Sequence, residues 1–350
     1  MDESARNASD GFPLIEVRGT AYEMGWQHGA QVPHLVGRYL NLIERDTGLC
    51  RDVLCRNAMN FLPGLQALSP AFVGEVRGLA DGAGISFEEA LLCQVRGEAR
   101  HTWQLGCTAF ALRGQATVDG NSLVGQNQDL PREYSDVSIL LRVLPDDGRP
   151  RALIYTFAGQ LGYFGMNEYG VANYANAVGD YAWRPGFAHY PLKRVILERR
   201  TVQECVQLLR NHAACSAANI ILCDGQGTIA SVECRPEGIA LYGGEHPDVI
   251  VHTNHYLTLG FSNHQAGALQ DSFARYQRML TLVHQHWGRL AVEDLKGILA
   301  DHAGDPAGIC RHGATGMETT SGHIAEPQRG LVHIRRGYGC AGKWHTYPVQ

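Results

Sequence analysis

What most constrains this chain is a change of character at Leu105-Gly106-Cys107. Before it, from about residue 14 to 100, apolar residues recur at helical spacing, as with Val36, Leu40, Ile43, Val53 and Leu54 between Leu35 and Leu62. Ser69-Pro70 reads as an N-cap with proline at the first helical position, and Ser86-Phe87-Glu88-Glu89 as a capping box opening a helix that runs to about Arg100. After it, short β-rich runs come in pairs. Thr108–Leu112 and Ser122–Gly125 flank the turn signal Asp119-Gly120, and Asn219–Cys223 and Thr228–Glu233 flank Asp224-Gly225-Gln226-Gly227. Further strands are expected at Val137–Val143, Ala152–Phe157, Gly170–Asn176, Val249–His252 and Leu331–Arg335. Helices are expected at about Leu192–Asn211, with a break and new cap near Thr201, and at about Ser272–Trp287 and Val292–Ala300. Strand pairs interleaved with helices predict an α+β protein, antiparallel sheets covered by helices, and exclude a doubly wound parallel sheet.

Composition narrows the function. The 350 residues are 45% hydrophobic and 19% charged with a net charge of −5, enough apolar material for a sizeable core and no basic stripe for phosphates, so no nucleic-acid role is expected. No run of about 18 apolar residues offers a membrane span. Met1–Gly11 is polar and acidic, read as a frayed terminus and not a signal peptide. The ten cysteines (50, 55, 93, 107, 205, 215, 223, 234, 310 and 340) form no C-x-x-C pair. They read as reduced thiols of a cytoplasmic protein, with zinc disfavoured and no cofactor expected. Neither G-x-G-x-x-G after a strand nor a phosphate-binding G-x-x-x-x-G-K-[ST] occurs.

Four segments carry chemistry. Gly106-Cys107-Thr108 starts a strand where helical sequence ends, and Gly125-Gln126-Asn127-Gln128-Asp129 should bring Asp129 back beside Cys107. Asn176 ends a strand, where asparagine is disfavoured, and Asn254 sits in His252-Thr253-Asn254-His255 at the end of another. A neutral amide donor suits an oxyanion, because it adds no charge to the ground state. Taken singly, Cys107 also reads as a small buried hydrophobe, and Asp129, Asn176 and Asn254 as turn or cap residues. His252 and His255, three apart on a strand, point to opposite faces and do not share a metal.

In this order the segments resemble the penicillin acyltransferase family, the acyl-coenzyme A:6-aminopenicillanate acyltransferase-like cysteine peptidases of the N-terminal-nucleophile hydrolase superfamily. More distantly they resemble bile-salt and penicillin V amidases. The resemblance also covers Arg18-Gly19-Thr20-Ala21-Tyr22-Glu23-Met24-Gly25, Gly78–Gly84 and Met166-Asn167-Glu168-Tyr169-Gly170-Val171, hence nearly the whole chain. It implies an αββα sandwich of two antiparallel sheets between helical layers. It also implies an inactive precursor cut between Gly106 and Cys107 into a helical α-chain, 1–106, and a catalytic β-chain, 107–350, which stay associated as one unit.

The new N-terminus would join nucleophile and base on one residue, since a free α-amine has a pKa near 8. The resemblance then implies attack by Cys107 on a small, non-peptide amide, an oxyanion held by Asn254 with Asn176, and an N-terminus oriented by Asp129. The thioester is resolved by water or by an amine acceptor, or is loaded from an acyl-CoA. Tyr163, Phe164, Tyr174, Tyr181 and Trp183 are candidates for the substrate wall. The penicillin-forming enzyme has a Ser-Arg pair where this chain reads Thr319-Thr320-Ser321-Gly322-His323, and Arg275, on a predicted helix, reads as a polar-face residue. Two other readings stay open: an uncleaved, non-catalytic homologue, and an uncut thiol hydrolase pairing Cys107 with His255 or His101.

Overall fold

The computed structural model describes residues 10–100, 106–178, 184, 186–261, 270–313 and 316–350. The expected sites His101, Tyr181 and Trp183 lie outside the described residues. The chain opens with β1 (Leu14–Gly19), followed by α1 (Ala21–Gln31), α2 (Pro33–Thr47), α3 (Arg51–Met59), α4 (Leu62–Leu68), α5 (Pro70–Ala83), α6 (Phe87–Gln94) and α7 (Arg96–Arg100). Then come β2 (Cys107–Leu112), β3 (Leu123–Leu130), β4 (Ser138–Pro145), β5 (Ala152–Phe157), β6 (Phe164–Asn167) and β7 (Ala172–Ala177). After α8 (His189–Ile196) and α9 (Val202–Asn211) the strands resume as β8 (Ala218–Cys223), β9 (Ile229–Arg235), β10 (Gly238–Tyr242) and β11 (Val249–His252). The chain ends with α10 (Gln270–Gln285), α11 (Val292–Ile298), β12 (Glu318–Glu326), β13 (Leu331–Arg336) and β14 (Trp344–Pro348).

The helices start where their caps dictate. The Thr20 and Ser86 side chains accept from the backbone N–H of Glu23 and Glu89, whose carboxylates reach back to close capping boxes. Ser69 caps α5 with Pro70 at its first position, and Thr201 caps α9, as the sequence predicts. The helix begun at Ser86 does not reach Arg100 unbroken, since Val95 leaves helical geometry and α7 starts afresh. The glycines of the first motifs serve packing. A Cβ on Gly25 would lie 1.9 Å from the carbonyl oxygen of Glu75, and one on Gly78 1.9 Å from that of Tyr22, so α1 and α5 meet backbone to backbone.

Two sheets form, one of eight strands in the order β1-β4-β5-β6-β7-β8-β9-β10 and one of six in the order β11-β2-β3-β12-β13-β14. All neighbours are antiparallel except β1, which runs parallel to β4 at the edge of the larger sheet. The long helical excursion between them permits that direction, which a hairpin cannot. Strand alternation makes the layers: Phe110 and Leu112 face outward with Val249 and Val251 onto Met279 and Val283 of α10 and Leu295 of α11. Ala109, Ala111 and Val124 face inward, in the same core as Tyr174, Ile220 and Val232 of the larger sheet. Helices α1, α2 and α5 contribute to that core from the other side, through Met24, Val36, Tyr39 and Leu79. The arrangement is the α+β, αββα sandwich. The strand pair around Asp119-Gly120 is real, but its connection, residues 113–122, is wider than a two-residue turn and includes a short 3-10 segment.

Candidate active site

Cys107 heads β2 opposite Gln128 of β3, so the next residue on β3, Asp129, lies beside Gly106. The backbone N–H of Asp129 donates to the Gly106 carbonyl at 3.0 Å. Gly106 has to be glycine for space: a Cβ there would sit 2.9 Å from Asp129 Cβ and 3.1 Å from Asp129 O. Its φ is not among the left-handed ones, so close approach, and not a strained backbone, explains it.

Both backbone groups of Cys107 are held. Its N–H donates to Asn254 Oδ1 at 3.2 Å, and its carbonyl accepts from Arg275 Nη1 at 2.6 Å. Arg275 Nη2 also donates to Asn254 Oδ1, at 2.7 Å. Two donors converging on one atom fix the orientation of the Asn254 amide, because only its oxygen can accept. Its nitrogen then donates to Ala177 O at 2.8 Å. Cys107 is 8% exposed as a residue, and its thiol accepts weakly from Gln126 Nε2 at 3.9 Å. Burial, helped by the charge of Asp129, pushes it up to about 12, so at neutral pH it is a thiol needing a base.

Asp129 is fully buried; Oδ1 accepts from Thr319 Oγ1 at 2.7 Å, while Oδ2 has no partner among the described residues. Burial raises its carboxyl, and the nearby Arg275 and Arg311 guanidinium groups oppose the rise. Asn176, on β7, accepts from Asn219 Nδ2 at 3.4 Å and leaves its own Nδ2 without a described partner. An unpaired buried donor is costly unless something else is to occupy it.

These groups stand at one end of a cleft enclosing about 780 Å³, its open mouth included, where Gly106, Cys107, Asp129 and Asn176 all contribute to the lining. Tyr163 and Phe164 form an aromatic wall, their rings stacked at 4.0 Å. Tyr174 does not reach the cleft. Two residues deeper than Asn176 on the same strand face, it is buried against Phe164 and His323. Two lining cations escape sequence reading. Lys193 Nζ lies 5.0 Å from the Tyr163 ring centre and 5.2 Å from that of Phe164, and burial lowers it to about 8. The Arg96 guanidinium lies over Tyr134 and Phe157 and reaches the Tyr190 hydroxyl.

Arg275 corrects the expectation most. It is 1% exposed, and besides Cys107 and Asn254 it touches Thr108 Oγ1 at 3.1 Å, so it is no polar-face residue. The signal was in the helical spacing: Ser272, Arg275, Tyr276, Met279 and Val283 form the buried stripe of α10. Ser321 lies one strand away, bonded to Gln128 and His323, and Thr319 is the residue that reaches Asp129. His255 Nδ1 engages Ser272 and Thr253, and His252 pairs with Glu233. Nothing described links His255 to Cys107, which leaves that half of the Cys–His pairing without geometric support; His101 lies outside the described residues. Among the described residues the single grouping of three or more histidine, cysteine or carboxylate ligand atoms lies off the cleft lining, at His302, Cys310, His312 and Cys340.

The sequence model of the acyl-coenzyme A:6-aminopenicillanic acid acyl-transferase family matches residues 116–322. The chain belongs to that family. A relative from Emericella nidulans, the acyl-coenzyme A:6-aminopenicillanic-acid-acyltransferase 40 kDa form, is 26% identical over 309 residues, covering 85% of this chain and 84% of the relative. Among solved structures, a Caenorhabditis elegans N-acylethanolamine-hydrolyzing acid amidase ortholog aligns with TM-score 0.48 and 16% identity over 63% of this chain and 93% of that one. A mutant form of the conjugated bile acid hydrolase from Clostridium perfringens aligns with TM-score 0.46 and 15% identity over 69% and 96%. The matched span of the acyl-transferase family takes in Asp129, Asn176, Asn254 and Arg275 but begins after Cys107.

Proposed function

We propose that this chain is a self-processing cysteine amidase or N-acyltransferase, cut between Gly106 and Cys107, that acts on a small acylated amine through a thioester on Cys107. In processing, the Cys107 sulfur attacks the Gly106 carbonyl, the acyl group passes from nitrogen to sulfur, and water releases a Gly106 carboxylate and a Cys107 with free amine and thiol. The Asp129 N–H on the Gly106 carbonyl supports this step as a ready oxyanion donor. In turnover the α-amine takes the thiol proton as sulfur attacks the substrate amide, then passes it to the departing amine. Water or an acceptor amine resolves the thioester, giving hydrolysis or acyl transfer.

The unpaired Nδ2 favours Asn176 as the oxyanion donor in turnover. Asn254, whose oxygen already faces the Cys107 nitrogen, suits the expected N-terminus better as an acceptor, alongside the unpaired Oδ2 of Asp129. An acyl chain along Tyr163 and Phe164 would bring an anionic end group to Lys193 and Arg96.

One observation carries the reading: Cys107 stands in the cleft behind a glycine that nothing larger could replace, with its own nitrogen and carbonyl both clamped. Denaturing mass spectrometry tests it. Wild type should give Met1–Gly106 and Cys107–Gln350, and Cys107→Ala one full-length species. An active preparation consisting only of uncut chain would sink the proposal.

A further inference from the structure

We propose that His302, Cys310, His312 and Cys340 hold a zinc ion in a tetrahedral site that braces the loop behind Asp129. The inference goes beyond the reaction proposed above and stands or falls separately from it. It also revises the expectation from the sequence that zinc is disfavoured.

The four ligand atoms lie within 4.8 Å of one another. His312 Nε2 is 2.8 Å from His302 Nε2, 3.8 Å from Cys310 Sγ and 3.5 Å from Cys340 Sγ. A zinc tetrahedron with bonds of about 2.0–2.1 Å to nitrogen and about 2.3 Å to sulfur has nitrogen–sulfur edges of about 3.6 Å and a nitrogen–nitrogen edge of about 3.3 Å. The three edges to His312 depart from these values by about 0.5 Å or less, and the remaining separations, up to 4.8 Å, would close by about 1 Å around a bound cation. A proton shared between the two imidazoles would explain only the histidine pair, and a Cys310–Cys340 disulfide only the sulfurs. One metal ion accounts for all four.

The surroundings resemble a thiolate site. Cys310 Sγ accepts the backbone N–H of Gly339 at 3.1 Å, and that approach requires glycine, since a Cβ on residue 339 would lie 2.4 Å from Leu299 O. The Cys310 N–H donates to Asp301 O at 2.9 Å, closing the loop that carries His302, and the His312 ring stacks on Tyr338 at 4.2 Å. Two thiolates and two imidazoles select zinc over oxygen-preferring cations. Four protein ligands leave no open coordination position, so the ion would serve structure and not chemistry.

What the ion would brace follows from the residues between its ligands. Arg311 donates its N–H to Thr319 Oγ1 at 2.9 Å and accepts from Thr319 N–H at 3.0 Å, and Thr319 Oγ1 donates to Asp129 Oδ1. Asn127, two residues before Asp129, donates to Leu299 O and Ile309 O of the same loop. The spacing, seven residues from His302 to Cys310, one to His312 and 27 to Cys340, matches no local zinc signature. Only the fold brings Cys340 to the others.

The test uses the full-length protein. Elemental analysis after purification with zinc present should find one zinc per chain. After stripping, titration with cobalt(II) should produce the intense visible bands and the near-ultraviolet thiolate charge-transfer band of a tetrahedral sulfur–nitrogen site. Cys340→Ser and His302→Gln should each weaken cobalt binding at least tenfold, whereas Cys50→Ser, an exposed thiol outside the cluster, should not. Removing zinc should lower Tm by about 5 °C or more. Less than a tenth of a zinc per chain and no cobalt bands in the wild type would overturn the proposal, whether mass spectrometry then finds free thiols or a Cys310–Cys340 disulfide. The wild-type titration decides the matter even if a variant fails to fold.

Discussion

At the scale of single residues, the decisive feature is one guanidinium that holds two groups at once. Arg275 donates from Nη1 to the Cys107 carbonyl and from Nη2 to Asn254 Oδ1, and so ties the Cys107 backbone and the Asn254 amide to one planar group. Lysine keeps the charge but not the fork. Arg275→Lys should therefore fold yet slow both self-cleavage and turnover by roughly 10²-fold, the cost of a small misplacement at a reacting centre. Fragment yield by mass spectrometry and single-turnover rates check this, and unchanged rates would remove Arg275 from the scheme. Sequence alone singled out Cys107 by the change of character before it, Asp129 by the returning hairpin, and Asn176 and Asn254 by their places at strand ends, and the fold brings the four together. It hid Arg275 because an arginine on an amphipathic helix looks solvated until the register of the stripe is counted. Tyr174 was misjudged for a related reason: alternation gives a side chain's face but not its depth.

At the scale of elements, β3 poses the question. Its run Gln126-Asn127-Gln128-Asp129 is fully buried in a central strand, an expensive choice unless every polar group is paired. Gln126 accepts from Ala175 N–H, Gln128 meets the hydroxyls of Tyr155 and Tyr163, and Asn127 accepts from Arg335 while donating to Leu299 and Ile309. Asn127→Ala would strand two buried carbonyls and a buried guanidinium nitrogen, and should cost about 3 kcal/mol. A fall in the urea midpoint at constant m-value would show it; a change below about 1 kcal/mol would not fit. The neighbour on its other side, β12, was illegible in sequence because Glu318–Glu326 puts threonine, serine and histidine inside, the inverse of an apolar alternation. β1 was lost in a stretch that is otherwise helical. The caps at Thr20, Ser69, Ser86 and Thr201 act locally, and three of the four were read directly.

For the whole molecule, burial of neutral histidines makes acid destabilising. His28 accepts the Gly159 N–H on Nε2 and is held down at about 4; His189 and His323 are held at about 3, all through burial. Each pKa lies below that of an unfolded histidine, near 6.5, so the unfolded chain takes up protons first as pH falls. Their contribution is complete above about pH 6.5 and is lost towards pH 4, where His28 alone costs about 3 kcal/mol. Buried Glu98 and Asp129, with raised carboxyls, act in the opposite direction. Tm should therefore fall from pH 7 to pH 4.5 more steeply in wild type than in His28→Gln, and parallel profiles would refute the assignment. The two-sheet plan was legible from paired turn signals, whereas the joining of β1 to β4 was not, since it spans the helical segment and leaves no mark on either strand.

That parallel pairing has a kinetic consequence. A chain nicked at Gly106 would keep its fragments together through the hydrogen-bonded ladder between Leu14–Gly19 and Leu140–Pro145, although no covalent bond joined them. An uncut chain folds as a first-order event, but two separated pieces would have to find each other by collision. Recovery from denaturant should then be dilution-sensitive for a nicked chain and dilution-insensitive for an uncut one, so that scission would turn a reversible fold into one held mainly by its slow exit.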